Sequence, residues 1–163
     1  MSTDAEINDK FWKAVKSDMT VMLALDGAEE SHAQPMTAQF DKDQPQGPIW
    51  FFTSKETDLV RALGSRQGAM MQFVAKDHDL FACLSGTLTA DNDRATIDRL
   101  WNPFVAAWFE GGKDDPKLQL IRFDAEDGRV WLNDHSLFAA VKLLFGRDPK
   151  ESYKDKVAEI RPH

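Results

Sequence analysis

Hydrophobic and polar positions along this 163-residue chain repeat with two different periods. Over residues 4–17, Ile7, Phe11, Ala14 and Val15 recur at helical spacing behind Thr3 or Asp4, which suits a cap; the pattern predicts a short amphipathic helix. Residues 20–25 form an apolar run that stops at Asp26-Gly27, a strand followed by a turn. A second strand is expected over 32–40, with Pro35 confining it to an edge or a bulge because proline donates no N–H. After the loop at 44–48, the aromatic and branched run 49–53 predicts a third strand. Residues 55–63 predict a helix with Thr53 or Ser54 as its cap and Gly64 as its stop. Runs 68–75 and 79–90 predict an antiparallel hairpin. A helix over 92–101, a break at Pro103 and a second short helix to Phe109 follow. Residues 118–123 and 129–132 predict a last strand pair turning at Glu126-Asp127-Gly128. The apolar stretch 137–145 predicts a helix ended by Gly146, with a charged tail after it.

Successive strands with few intervening helices argue for an antiparallel sheet and a mainly β (α+β) fold. About seven strands suffice to close a small barrel and remove its exposed edges. No repeat and no Pro- or Ser-rich linker divides the chain, so residues 1–163 are expected to form one domain, with a C-terminal helix and tail, 136–163, packed on it.

Composition narrows the function classes. A net charge of −7, without a basic stripe, argues against broad nucleic-acid binding. The lone Cys83 cannot form an internal disulfide, behaves as a small core residue by type, and fits a reducing compartment. The first ten residues lack a signal-peptide pattern, and no stretch approaches the roughly 20 apolar residues of a membrane span. The expected location is cytoplasmic. His32, His78, His135 and His163 are scattered and form no metal-ligand spacing, so no metal is expected. Neither GxGxxG nor GxxxxGK[ST] occurs, Ser85-Gly86 is no nucleophile elbow, and the 27 Asp and Glu fall mostly in loops and on helix faces.

Three segments carry a more specific signal. They are Ser31-His32-Ala33-Gln34-Pro35-Met36-Thr37-Ala38-Gln39, then Ile49-Trp50-Phe51-Phe52-Thr53-Ser54-Lys55, and then Leu100-Trp101-Asn102-Pro103-Phe104 continuing through Ala107-Trp108-Phe109-Glu110-Gly111-Gly112 to Asp114-Asp115-Pro116. Their order and spacing, roughly from Met19 to Trp131, resemble the general stress protein branch of the pyridoxamine 5'-phosphate oxidase-like flavoproteins. The resemblance implies an FMN-binding split β-barrel with flanking short helices, assembled as a homodimer with the flavin in a groove between subunits. It implies flavin contacts from Gln34, Met36, Thr37, Phe52, Thr53, Ser54, Lys55, Trp101 and Trp108.

These residue types suit the ligand. Trp and Phe can cover an isoalloxazine face, hydroxyl and amide groups can satisfy its polar edge, and a helix start at Ser54-Lys55 would offer N–H groups and a cation to the phosphate. Other roles stay open. Trp50 and Phe51 equally suit a strand core, Ser54 a plain helix cap, and Met36 the core. Trp101 and Trp108, seven apart, suit a buried stripe as well as a ring contact.

The chain also departs from the family pattern. Gln34 stands where relatives often carry Arg, and Leu59 where many carry Lys, with Lys55 and Arg61 nearby as substitutes. Losing a charge-assisted contact costs about 1.5–3 kcal/mol, so weak or partial occupancy, or FAD in place of FMN, is an open outcome. Glu159-Ile160-Arg161-Pro162-His163 does not reproduce the oxidases' C-terminal Arg motif, which weighs against vitamin B6 oxidation. Three readings follow: a flavin-binding stress-type protein with no assigned redox role; a flavin-dependent oxidoreductase, either an oxidase or an NAD(P)H-dependent flavin reductase; and a structural dimer whose flavin site has decayed.

Overall fold

The computed structural model describes residues 3–27, 32–134 and 137–144. Helix α1 (Asp4–Asp18) opens on a capping box in which Glu6 N–H donates to Thr3 Oγ1 and Thr3 N–H donates to Glu6 Oε2. It stops at Met19, whose left-handed backbone lets its N–H donate to the Val15 carbonyl. Ile7, Phe11, Trp12 and Val15 form its buried stripe.

Eight strands follow: β1 (Thr20–Leu25), β2 (Gln34–Thr37), β3 (Gln39–Phe40), β4 (Ile49–Ser54), β5 (Arg66–Val74), β6 (Leu80–Ala90), β7 (Leu118–Asp134) and β8 (Leu137–Leu144). Every pairing is antiparallel, in the order β2-β1-β5-β6-β7-β4-β3, with β8 beside β7. The two end strands, β2 and β3, are consecutive in sequence and separated only by the buried Ala38, whose N–H donates to the Met19 carbonyl at 2.7 Å. The sheet therefore curls round until its ends meet through the chain itself. This is a split β-barrel. Pro35 sits in the end strand β2, where its missing N–H costs no central ladder bond.

Two apolar clusters hold the fold. Inside the barrel, Leu23, Phe51, Met71, Phe73, Leu84 and Phe123 are buried with the α1 stripe and with Leu59 and Leu63 of helix α2 (Asp58–Leu63). Outside it, Trp50, Leu118 and Leu120 are covered by Ile97 and Leu100 of helix α3 (Arg94–Leu100), by Val105 of helix α4 (Pro103–Ala106), and by Phe109. Strand β4 thus buries both faces, which explains its unbroken Ile-Trp-Phe-Phe run. Among the described residues no helix is long and apolar enough to cross a membrane.

Several sequence expectations change. The run 137–145 was expected to be helical, but Leu137–Leu144 is strand β8, paired with Asp127–Asp134 of β7. A short continuous apolar run fits either state by its pattern, and the free edge of a long neighbouring strand decides it. The tail beyond residue 144 lies outside the described residues. Helix α2 starts at Asp58, not Lys55, because Thr57 is its cap and accepts from Val60 N–H, while Ser54–Thr57 is a turn. Ser54 therefore caps no helix. Cys83 is half-buried on β6 and is not a core residue.

The expected turn at Glu126-Asp127-Gly128 is instead the middle of one strand, β7. It pairs with β6 along one edge, and with β4 and then β8 along the other. The register steps from Gly86↔Ala125 to Ser85↔Asp127, so Glu126 is the extra residue of a bulge. Its carboxylate accepts from the Thr87 hydroxyl at 2.7 Å. The bulge brings the two backbones together at Gly86, where an added Cβ would lie 2.1 Å from the Asp124 carbonyl oxygen. Gly86→Ala is expected to force these strands apart and lower stability by about 1–3 kcal/mol or more. A urea unfolding midpoint equal to that of the wild type would show that the close approach carries no such cost.

Candidate functional site

A cleft of about 350 Å³ opens where the barrel's seam meets α4. Met36 and Thr37 of β2 and Gln39 of β3 line one side. Phe52, Thr53 and Ser54 enter from the end of β4. Phe104, Val105, Trp108 and Phe109 line the other side.

Local sequence builds that second side. Asn102 caps α4, its Oδ1 accepting from Phe104 and Val105 N–H at 3.0 Å each, and Pro103 sits at the first helical position, where no N–H is required. The Trp-Asn-Pro motif is thus a helix-start device. It aims Val105 and Phe109 at the outer apolar cluster and leaves Phe104 and Trp108 at 85% and 84% exposure on the lip of the cleft. The Gly-Gly…Asp-Asp-Pro stretch is structural as well. The Asp115 carboxylate accepts from Lys117 N–H and Gly111 N–H, which hold its carboxyl below the usual range, and a Cβ at Gly111 would approach Asp115 Cα at 2.9 Å.

Of the residues picked from sequence, Met36, Thr37, Phe52, Thr53, Ser54 and Trp108 meet at this cleft. Trp101 stands behind it, half-buried, edge-on to Phe52 at 5.9 Å and tilted against Phe109 at 6.3 Å. Gln34 lies outside the lining, with its amide donating to the Met36 sulfur at 3.5 Å. Lys55 is exposed and follows the last lining residue of β4, and its backbone N–H donates to the Lys117 carbonyl. Leu59 is fully buried in the barrel core, and Arg61 is exposed on α2. Among the described residues, no Lys or Arg side chain lines the cleft.

The hydroxyl groups are only partly committed. Thr57 donates to the Ser54 carbonyl and accepts from Val60 N–H, whereas the Ser54 hydroxyl accepts from Glu56 N–H and keeps its own proton to offer. Sequence reasoning missed Gln39, Thr57 and Phe104. The spacing of Phe104 and Trp108, four apart after a capped Pro, was a usable signal for a shared face. Gln39 carried none, because its place in the lining depends on the curl of the sheet. What the arrangement offers is an open slot with aromatic lips, an apolar floor and neutral hydrogen-bonding groups. Among the described residues no group of His, Cys, Asp and Glu is arranged to hold a metal.

Comparison with known proteins agrees with the fold. The family model described as pyridoxamine 5'-phosphate oxidase like matches residues 6–148. A general stress family protein of Xanthomonas campestris pv. campestris is 57% identical, with 90% of this chain and 100% of that one covered at a TM-score of 0.77. The general stress FMN/FAD binding protein of Xanthomonas citri is 56% identical, covering 87% and 99% of the two chains at a TM-score of 0.75. A general stress protein 26 from Jannaschia sp. is 31% identical over 81% and 82%, at a TM-score of 0.71. No curated protein matches the chain. The chain belongs to the pyridoxamine 5'-phosphate oxidase-like family, in its general stress protein branch.

Proposed function

We propose that the chain binds a flavin, FMN or FAD, in the cleft at the barrel seam and works as a flavin-binding general stress protein. The observation that carries this reading is the pair of large aromatic rings, Phe104 and Trp108, held in solvent over an apolar slot. Exposed rings of this size are costly to leave unpaired and suit a flat π system. The X. citri relative, described as FMN/FAD binding, supports the same ligand class.

In this reading Phe52 and Trp108 cover the ring, and Met36 and Thr37 supply backbone and hydroxyl contacts along its edge. Thr53 and Ser54 donate to its polar atoms, with Gln39 reaching from the seam. Gln34 and Trp101 act from behind the lining, by holding Met36 and Phe52. A bound flavin supplies hydride and electron transfer; the cleft residues orient it and shield one face. The remaining exposed area of Phe104 and Trp108 fits burial against a second copy, so the assembly we propose is a homodimer.

A flavin that copurifies gives absorbance bands near roughly 370 and 450 nm, as expected of that cofactor class. Its binding should quench tryptophan emission. Trp108→Ala is expected to weaken flavin binding by about 0.5–1.5 kcal/mol. Because the side chain is exposed within one chain, the same change should alter the stability of the isolated subunit by only about 0.5 kcal/mol or less, any further loss falling on the dimer. Melting and flavin titration on that one variant read both quantities, and unaltered affinity would retire Trp108 as a ring contact.

Among the described residues the lining holds no cation, which predicts a weak phosphate contribution. FMN should bind less than about tenfold tighter than riboflavin, where one full charge-assisted contact would give one to two decades. Lys55→Ala should remove whatever FMN preference remains. A preference of a hundredfold or more that survives this change would place a cation at the phosphate from elsewhere. Light scattering at micromolar concentration tests the dimer, and a monomeric mass overturns it.

A further inference from the structure

The two sides of the cleft belong to separate structural units. One side, β2 and β3, is part of the barrel; the other is carried by α3, α4 and the 3₁₀ turn Gly112–Asp114. The second unit rests on the barrel through the apolar patch of Trp50, Leu118 and Leu120, and Asn92, next to the cap of α3, pins its start by hydrogen bonds with Leu118, Gln119 and Leu120 of β7. Beyond that point the contact is apolar and non-directional, so it fixes how close the rest of the unit sits more firmly than where along the surface it sits.

The charged contacts of this unit divide in two. Arg94–Asp98 (3.2 Å), Lys113–Asp98 (3.1 Å) and Arg94–Asp114 tie the unit to itself. Among the described residues, the ion pair that ties it to the barrel is Arg99–Asp41. Both Arg99 Nε and Nη2 donate to Asp41 Oδ2, at 3.1 and 2.9 Å. The Asp41 side chain is 5% exposed, and its Oδ1 accepts from Asp43 N–H at 3.0 Å. Nη2 also donates to the Thr96 hydroxyl, which donates in turn to Asp93, the cap of α3. The chain of bonds therefore runs from the start of α3 to the seam of the barrel. The Arg99 guanidinium holds the Asp41 carboxyl below the usual carboxylate range, with the Asp43 N–H as a second cause, so the pair stays charged near neutral pH.

Its position in sequence ties it to the cleft. Asp41 lies two residues after Gln39, just past the end of β3, and the two line one shallow cleft together with Arg99 and Trp101. Arg99 lies two residues before Trp101, which packs against Phe52 and Phe109. We propose that Asp41 and Arg99 are positioning residues for the flavin cleft, fixing the register of α3 and α4 against the β3 edge and hence the place of Trp108 opposite Met36 and Gln39. The consequence for binding rests on the flavin reading above; the effect on α4 does not.

The test uses full-length wild type, Asp41→Asn, Arg99→Gln, the double variant and Arg99→Lys, each labelled with 5-fluorotryptophan. Val130→Ala, a change in the barrel core far from both residues in sequence, controls for lost stability. All measurements are made well below each variant's melting temperature. Without flavin, the Trp108 fluorine resonance should shift in both single variants and stay in place in Val130→Ala. FMN should bind about 5- to 10-fold more weakly to each single variant, and the double variant should lose no more than the worse single, as for coupled neighbours. Arg99→Lys should recover part of the affinity.

An unmoved Trp108 resonance overturns the inference. So does a moved resonance with unchanged FMN affinity, or an equal loss in Val130→Ala, which would make the pair merely structural. Failure of the wild type to bind any flavin overturns the functional reading instead, and the resonance measured without ligand still decides whether the pair sets α4.

Discussion

Strand β4 has to bury both of its faces, and much of the molecule is arranged to let it. Phe51 points into the barrel while Trp50 and Phe52 point out, so the barrel alone leaves a large aromatic surface in water. Covering Trp50 requires Ile97, Leu100, Val105 and Phe109, and these arrive on two short helices and the turn after them, inserted between β6 and β7. The helices in turn need an abrupt change of direction, which Asn102 and Pro103 provide. Where the cover ends, at Phe52, Thr53 and Ser54, the cleft begins. The site is thus the place where the strand runs past its own shielding.

Much of the fold was legible because local signals and global packing agree. Thr20 to Leu25 reads as a strand by pattern and is one, and the helix read over 4–17 behind Thr3 or Asp4 is α1, capped by Thr3 and ending at Asp18. The two largest failures fall where a neighbouring edge outweighed local preference. Asp127-Gly128 is a strong turn signal, yet β6 on one side and β8 on the other hold the segment extended, and the surplus residue is absorbed as a bulge at Glu126. Leu137 to Leu144 was drawn into a strand in the same way.

The site was legible to the extent that it depends on residue type. Phe52, Thr53 and Trp108 could be chosen because aromatic and hydroxyl groups at a strand end and after a capped Pro suit a flat polar-edged ligand. Gln39 and Thr57 could not, since their approach to the cleft follows from the closure of the barrel and the exact start of α2. Leu59 shows the opposite limit. Its alignment with a family cation suggested a missing contact, and its full burial shows that in this chain the position serves the core.

The barrel's seam has a further meaning for its mechanics. Among the described residues, neighbouring strands of the wall are joined by ladders of hydrogen bonds, whereas β2 and β3 are joined through Ala38 and its bond to Met19. A wall with one unladdered joint opens there first, and the breathing of the domain is concentrated along a single line. Any molecule that settles beside that line touches both banks at once. One that binds only the closed wall would act as a suture, stabilising it by mass action as its free concentration rises.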